Sequence, residues 1–316
     1  MKFLPMTFLV PALLALSTIH AAVAADGIAY IINSAGASIS VVNMTTQTEL
    51  RRIPVLREPH HLVLSPDGKQ LLVGDTVANE MLFLDPRTGD IRQRLTMADP
   101  YQFGFSPNGK YFVVNGLARN QIDVYDGIGM KLVKRFSVAS MPSHLAFSPD
   151  ASMVFISLQG TDRLVAIDLN AMAVRWTQPV GRTPAGVMWH NGQVMVANMG
   201  SDNVALVDPV DGRVTGRIVT GKGAHTMFLS PDEKIVYVNN RVAGTTVALD
   251  AVTLKPLRSY SIPGGPDDMD FAPDGRIWIT RRFAAKLAVL DPVSGHYQSI
   301  DVGRSPHGIL LNPKAP

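Results

Sequence analysis

The side chains best suited to chemistry in this chain are its histidines, and their placement is not random. Seven follow residue 25. Five of these, His60, His61, His144, His225 and His307, each stand one or two residues past a position that recurs at Pro59, Pro100, Pro142, Pro184, Ala224, Pro266 and Pro306. The steps between those positions are 41, 42, 42, 40, 42 and 40 residues, so the histidines keep time with a repeat. His60, His225 and His307 hold one repeat slot, with Tyr101 and Asp267 in the same slot of other units. Imidazoles drawn to one point can ligate a metal ion, or act as general acid and base near neutral pH. A duplicated hydrogen-bonding role would leave the same pattern, since a repeat copies whatever its first unit carried. His190 and His296 fall in turns.

Arginine follows the histidines. Arg57, Arg182, Lys222 and Arg304 stand two residues before repeat starts, and Arg119, Arg163, Arg241, Arg281 and Arg282 fall in links between predicted strands. Asp75, Asp162, Asp202, Asp267 and Asp268 dilute this charge, and the whole chain is only +3. A locally positive funnel suits a carboxylate or phosphate, because the guanidinium presents a planar fork of donors. Nucleic acid is not an expected partner. There is no G-x-S-x-G elbow, no phosphate loop and no cysteine, which removes the common nucleophile and phosphate-cradle templates. Asp267 and Asp268 are adjacent and so expected on opposite sides of a strand, which disfavours a carboxylate dyad. On charge alone, Asp267→Asn is expected to leave the fold intact and anion affinity equal or higher.

The elements that must position these residues are short. Residues 59–95 hold four apolar runs, HLVL, QLLV, MLFL and IRQRL, each of strand length and none long enough for a helix. Ser65-Pro66-Asp67-Gly68 and Asp85-Pro86-Arg87-Thr88-Gly89 separate them with turn chemistry. A second marker, the polar residue ending the third run, recurs at Asn43, Asp85, Asp126, Asp168, Asp208, Asp250 and Asp291. Four strands per repeat of about 40 residues, seven times over, predict an all-β seven-bladed β-propeller of four-stranded antiparallel blades. The run Ile28 to Asn33 lacks a predecessor and His307 to Leu311 lacks successors, so the two are expected to pair in a composite blade that closes the ring. Ala151 and Glu233 replace the turn glycine in two units, where a different turn type is expected.

Residues 1–25 read as a secretory signal peptide: Lys2, an apolar stretch from Phe3 to Ile19, then Ala22-Val23-Ala24. Pro5 and Pro11 interrupt that stretch, so no membrane anchor is expected. Residues 26–316 are expected to form the propeller, periplasmic or secreted.

Tyr30-Ile31-Ile32-Asn33, Met195-Val196-Ala197-Asn198 and Tyr237-Val238-Asn239-Asn240, together with the P-x-x-(apolar)-S-P-D-G openings, resemble the YVTN family of propeller repeats. The resemblance spans the chain after residue 25 and includes YncE-like and haem d1-type periplasmic propellers. Similar repeats occur in periplasmic binding proteins, in a DNA-binding propeller, in the haem d1 domain of nitrite reductase and beside quinone-dependent alcohol oxidation. The resemblance therefore implies the fold, while the role is left to the site. Three readings stand. In the first, a non-catalytic propeller binds a small anionic molecule or a periplasmic protein partner through His60, His61, Tyr101, His144, His225, Arg241, Arg281 and His307. In the second, a metal-assisted lactonase or lyase uses His60, His225, His307 and Asp267, with the three histidines as metal ligands. The third is a haem-handling protein of the d1 type.

Overall fold

The computed structural model describes residues 27–312, so the expected signal peptide lies outside the described residues. The turn chemistry closes hairpins as expected. In Ser65–Gly68 the Gly68 N–H donates to the Ser65 carbonyl at 2.8 Å, and the Asp67 carboxylate accepts from Ser65 Oγ at 2.7 Å. Gly68 takes φ 68°. Ala151 and Glu233 do not change the turn type: their φ values are 60° and 58°, and each N–H donates to the equivalent serine carbonyl, Ser148 or Ser230. The hydrogen-bonded Ser-Pro-Asp frame imposes the left-handed position, and a non-glycine side chain bears its strain there.

Among the described residues, 28 strands form seven four-stranded antiparallel sheets. The chain is an all-β, seven-bladed propeller. Its inner strands are Pro59–Leu64, Gln102–Phe105, Pro142–Phe147, Pro184–His190, Ala224–Leu229, Pro266–Phe271 and Pro306–Asn312, taken here as blades one to seven. Blade seven is composite: Pro306–Asn312 pairs antiparallel with Ile28–Asn33, with Ile31 opposite Ile309 and Ala29 opposite Leu311.

Period-two alternation explains how the blades hold together. On the second strand of blade one, Leu71 and Val73 pack toward blade seven, while Leu72, between them, packs toward blade two. Seven buried apolar clusters result, each straddling two neighbouring blades. Outer strands such as Val214–Val219 alternate half-buried and exposed residues. No helix among the described residues is long and apolar enough to cross a membrane.

One irregularity recurs at the start of the inner strands. In blade one Pro59 faces Asp75 and Leu62 faces Val73, so His60 and His61 together oppose Gly74. The same two-against-one count sets Ser143 and His144 against Ser157, and Asp267 and Asp268 against Thr280. This is a β-bulge, which bends the strand and re-aims its side chains. It occurs at the end of the central axis where the histidines lie.

Candidate functional site

The side chains at the bulged strand starts converge. His60 and His61 come from blade one, Tyr101 from two, His144 from three, His225 from five, Asp267 from six and His307 from seven. Blade four contributes only Ala185 and Gly186, where a Cβ on Gly186 would stand 2.5 Å from the His225 carbonyl oxygen. The rings touch one another. His60 stacks on Tyr101 at 3.9 Å between centroids and meets His307 edge-on at 4.0 Å; His61 lies 4.6 Å from His307 and 5.2 Å from His144. His60, His144, His225 and His307 are buried, while His61 and Tyr101 are half-buried. The end of the axis is therefore filled by side chains rather than open.

Asp267 organises this packing. His307 Nδ1 donates to its Oδ2 at 2.6 Å, and His225 Nδ1 approaches Oδ1 at 2.9 Å. Arg241 donates to Oδ1 and Arg282 to Oδ2, the latter at 3.2 Å. Arg241 Nη2 also donates to His225 Nε2 at 2.6 Å, so both nitrogens of that ring are engaged. His61 Nδ1 donates to the Tyr101 carbonyl at 2.9 Å and lies 2.9 Å from His60 Nδ1. Two buried ring nitrogens have no protein partner: His307 Nε2 and His144 Nε2.

Burial governs the protonation states. It pushes His60, His61, His144 and His225 below the ordinary imidazole range and His307 down to about 4, so the cluster is neutral imidazole at pH 7. Burial alone would raise the Asp267 carboxyl, but His307, His225 and Arg241 outweigh it and keep the group ionised. One carboxylate against two guanidiniums leaves a net charge of +1 at the site.

Beneath the rings the axis widens into a cavity of about 350 Å³, bordered by His61, His144, Gln102, Asp268 and Asp270. Burial, then the neighbouring Asp267, pushes the Asp268 carboxyl well above the ordinary range. The two adjacent aspartates thus have separate surroundings, Asp267 in the cluster and Asp268 on the cavity wall.

Arg281 does not join the others. It occupies the Asn position of the Y-V-x-N element, where Asn198 and Asn240 hold the carbonyls of Val180 and Thr220. Arg281 likewise donates from Nε to the Pro263 carbonyl at 2.7 Å, and from Nη1 to Ser299 Oγ at 2.9 Å, with its guanidinium over Tyr297. Arg282 reaches the cluster instead. It holds the same repeat position as Arg241, one past the Asn slot, and that equivalence is a signal the sequence carried. The residues opposite the bulges were a second missed signal. Asn115 Nδ2 donates to the Ser143 carbonyl, Ser157 Oγ to that of Ala185 and Thr280 Oγ1 to that of His307, all at 2.7–2.8 Å. Each pins the next blade's strand start through the polar residue at the x of Y-V-x-N.

The metal set His60, His225 and His307 needs correction. His225 is taken up by Asp267 and Arg241, and the residues whose donor atoms gather within 4.8 Å of one another are His60, His61 and His307. Nor does the cluster fit a haem, because its rings pack against each other and leave no slot for a macrocycle.

The YNCE-like beta-propeller family matches residues 3–316. The chain belongs to that family. No curated protein matches the sequence. A functionally unknown protein from Desulfotomaculum acetoxidans is similar in structure, with TM-score 0.76 and 12% identity over 90% of this chain and 98% of that one. Hydrazine synthase of Kuenenia stuttgartiensis aligns at TM-score 0.67 and 18% identity, covering 79% of this chain and 88% of that one. Dihydro-haem d1 dehydrogenase NirN, in complex with DHE, aligns at TM-score 0.68 and 15% identity, covering 90% and 74%. At such identities the likeness is one of fold, and the role of this YNCE-like propeller must be argued from its own residues.

Proposed function

We propose that the protein is a periplasmic binding propeller, without chemistry of its own, that takes a small anionic ligand of the carboxylate or phosphate class at the histidine end of its axis. The carrying observation is the pair Arg241 and Arg282, which share one buried carboxylate. Each uses only part of its guanidinium on Asp267, and their side chains are 17% and 20% exposed. A second anion arriving from solvent meets unspent N–H donors and a net positive charge in partly desolvated surroundings, where bidentate recognition is strongest. The neutral imidazoles and Tyr101 supply further hydrogen-bonding groups without opposing charge. Periplasmic placement rests on the signal-like residues 1–25 and on the absence of cysteine, which lets the fold stand in an oxidising compartment without mispairing.

The test is thermal. A ligand bound only by the native state raises the melting temperature in proportion to the logarithm of its concentration. Succinate, phosphate and sulfate are each scanned in the presence of chelator and against chloride at matched ionic strength. At least one should raise the melting temperature saturably and beyond chloride. Failure of all three contradicts the anionic ligand.

A further inference from the structure

We infer that His60, His61 and His307 form a binding site for one divalent transition-metal ion of the zinc, copper or nickel class, at the inner end of the axial cluster. A donor nitrogen from each ring lies within 4.8 Å of the others. In a tetrahedral site with metal–nitrogen bonds of about 2.0–2.1 Å, the ligand nitrogens stand about 3.3 Å apart, so the rings need to close by at most about 1.5 Å.

The surroundings are those of a prepared ligand set. A metal-binding imidazole usually donates its other N–H to a carboxylate or a backbone carbonyl, which fixes the tautomer and turns the ring. His307 donates Nδ1–H to Asp267 and His61 donates Nδ1–H to the Tyr101 carbonyl, leaving Nε2 of each as the lone-pair nitrogen. His307 Nε2 is buried without any partner, a loss that a coordinated ion would remove. Three imidazoles and no thiolate suit zinc, copper or nickel rather than magnesium or calcium, and leave a fourth coordination position open. The axial cavity that His61 borders, with Asp268 and Asp270 on its wall, gives a path by which a cation can enter.

This inference goes beyond the anion reading and does not depend on it. Untagged protein stripped with chelator is titrated with Zn²⁺ by calorimetry, and separately with Co²⁺ while the visible spectrum is recorded. One Zn²⁺ per chain is expected. Co²⁺ should develop the intense visible bands of a four-coordinate site with three nitrogen ligands and one solvent ligand, with no thiolate charge transfer. His307→Gln and the half-buried His61→Gln should each weaken Zn²⁺ binding at least about tenfold, the scale of losing a metal-site group, and abolish the Co²⁺ bands. His190→Gln, at the far end of the blade-four inner strand where the ring bonds the Ala251 carbonyl, should change neither. Should His307→Gln not fold, His61→Gln and the wild-type stoichiometry decide. Absence of saturable 1:1 uptake by the wild type, or wild-type affinity in His61→Gln, overturns the site. Stripped protein that still responds to an anion but takes up no Zn²⁺ refutes the metal alone.

Discussion

Asp267 shows what charge counting misses. From sequence it is one acid in a basic surround, and its neutralisation is expected to leave the fold intact. In place it is fully buried and accepts from Arg241, Arg282, His225 and His307 together. Removing one partner of a buried ion pair leaves the others uncompensated, at a cost of several kcal/mol. Because both arginines keep a side exposed, Asp267→Asn should lower unfolding stability by about 3 kcal/mol, the low end of that range. Urea denaturation measures this, and a loss under 1 kcal/mol would mean that the network carries little. Asp268 behaves oppositely. Its folded-state pKa is raised, so the native state binds more protons than the unfolded one between the ordinary carboxylate value and the raised value. Stability is full below that window and falls as pH rises through it. Asp268→Asn, whose side-chain oxygen can still accept from the Met269 N–H, should therefore melt higher than wild type at pH 7, with the gap closing toward about pH 4. A gap that widens on acidification would reverse the sign of this argument.

At the scale of strands and turns, the repeat was legible because two unrelated markers, the Pro at each unit start and the Asp ending the third strand, keep one period. Pairing of Ile28–Asn33 with the C-terminal strand followed from counting strands. What the sequence did not show was local geometry. The bulge that lets neighbouring His60 and His61 approach each other is set by pairing against Gly74, and simple alternation would send them apart. Arg281 and Arg282 are alike in type, and only the repeat phase shows that the first is a strand-end anchor while the second turns to the axis. The polar x of Y-V-x-N is the least conspicuous of these devices. Thr280→Val keeps the shape but leaves the His307 carbonyl without its donor, for which about 2 kcal/mol is the expected loss in stability. Thermal melts that match wild type would show that blade six does not pin blade seven by this bond.

As a whole molecule, the propeller depends on closing its ring without a covalent link. Deleting residues 306–316 removes the inner strand of blade seven, exposes the edge of Ile28–Asn33 and opens the clusters shared with blades six and one. The truncated chain should melt substantially lower or aggregate; an unchanged melting curve would mean that the composite blade does not close the ring. Closure also gathers side chains from six blades at one end of the axis, where the proposed anion would bind. The decisive measurement is calorimetric affinity for the best-bound anion, in chelator, for wild type and two arginine variants. Arg282 faces Asp267 at the axis, whereas Arg276 lies beside a hairpin turn and pairs with Asp274. Arg282→Gln should lower affinity at least about tenfold, the scale of one charge-assisted bond, while Arg276→Gln leaves it unchanged. Equal affinity in wild type and Arg282→Gln, or a loss confined to Arg276→Gln, would place the ligand elsewhere and contradict the account.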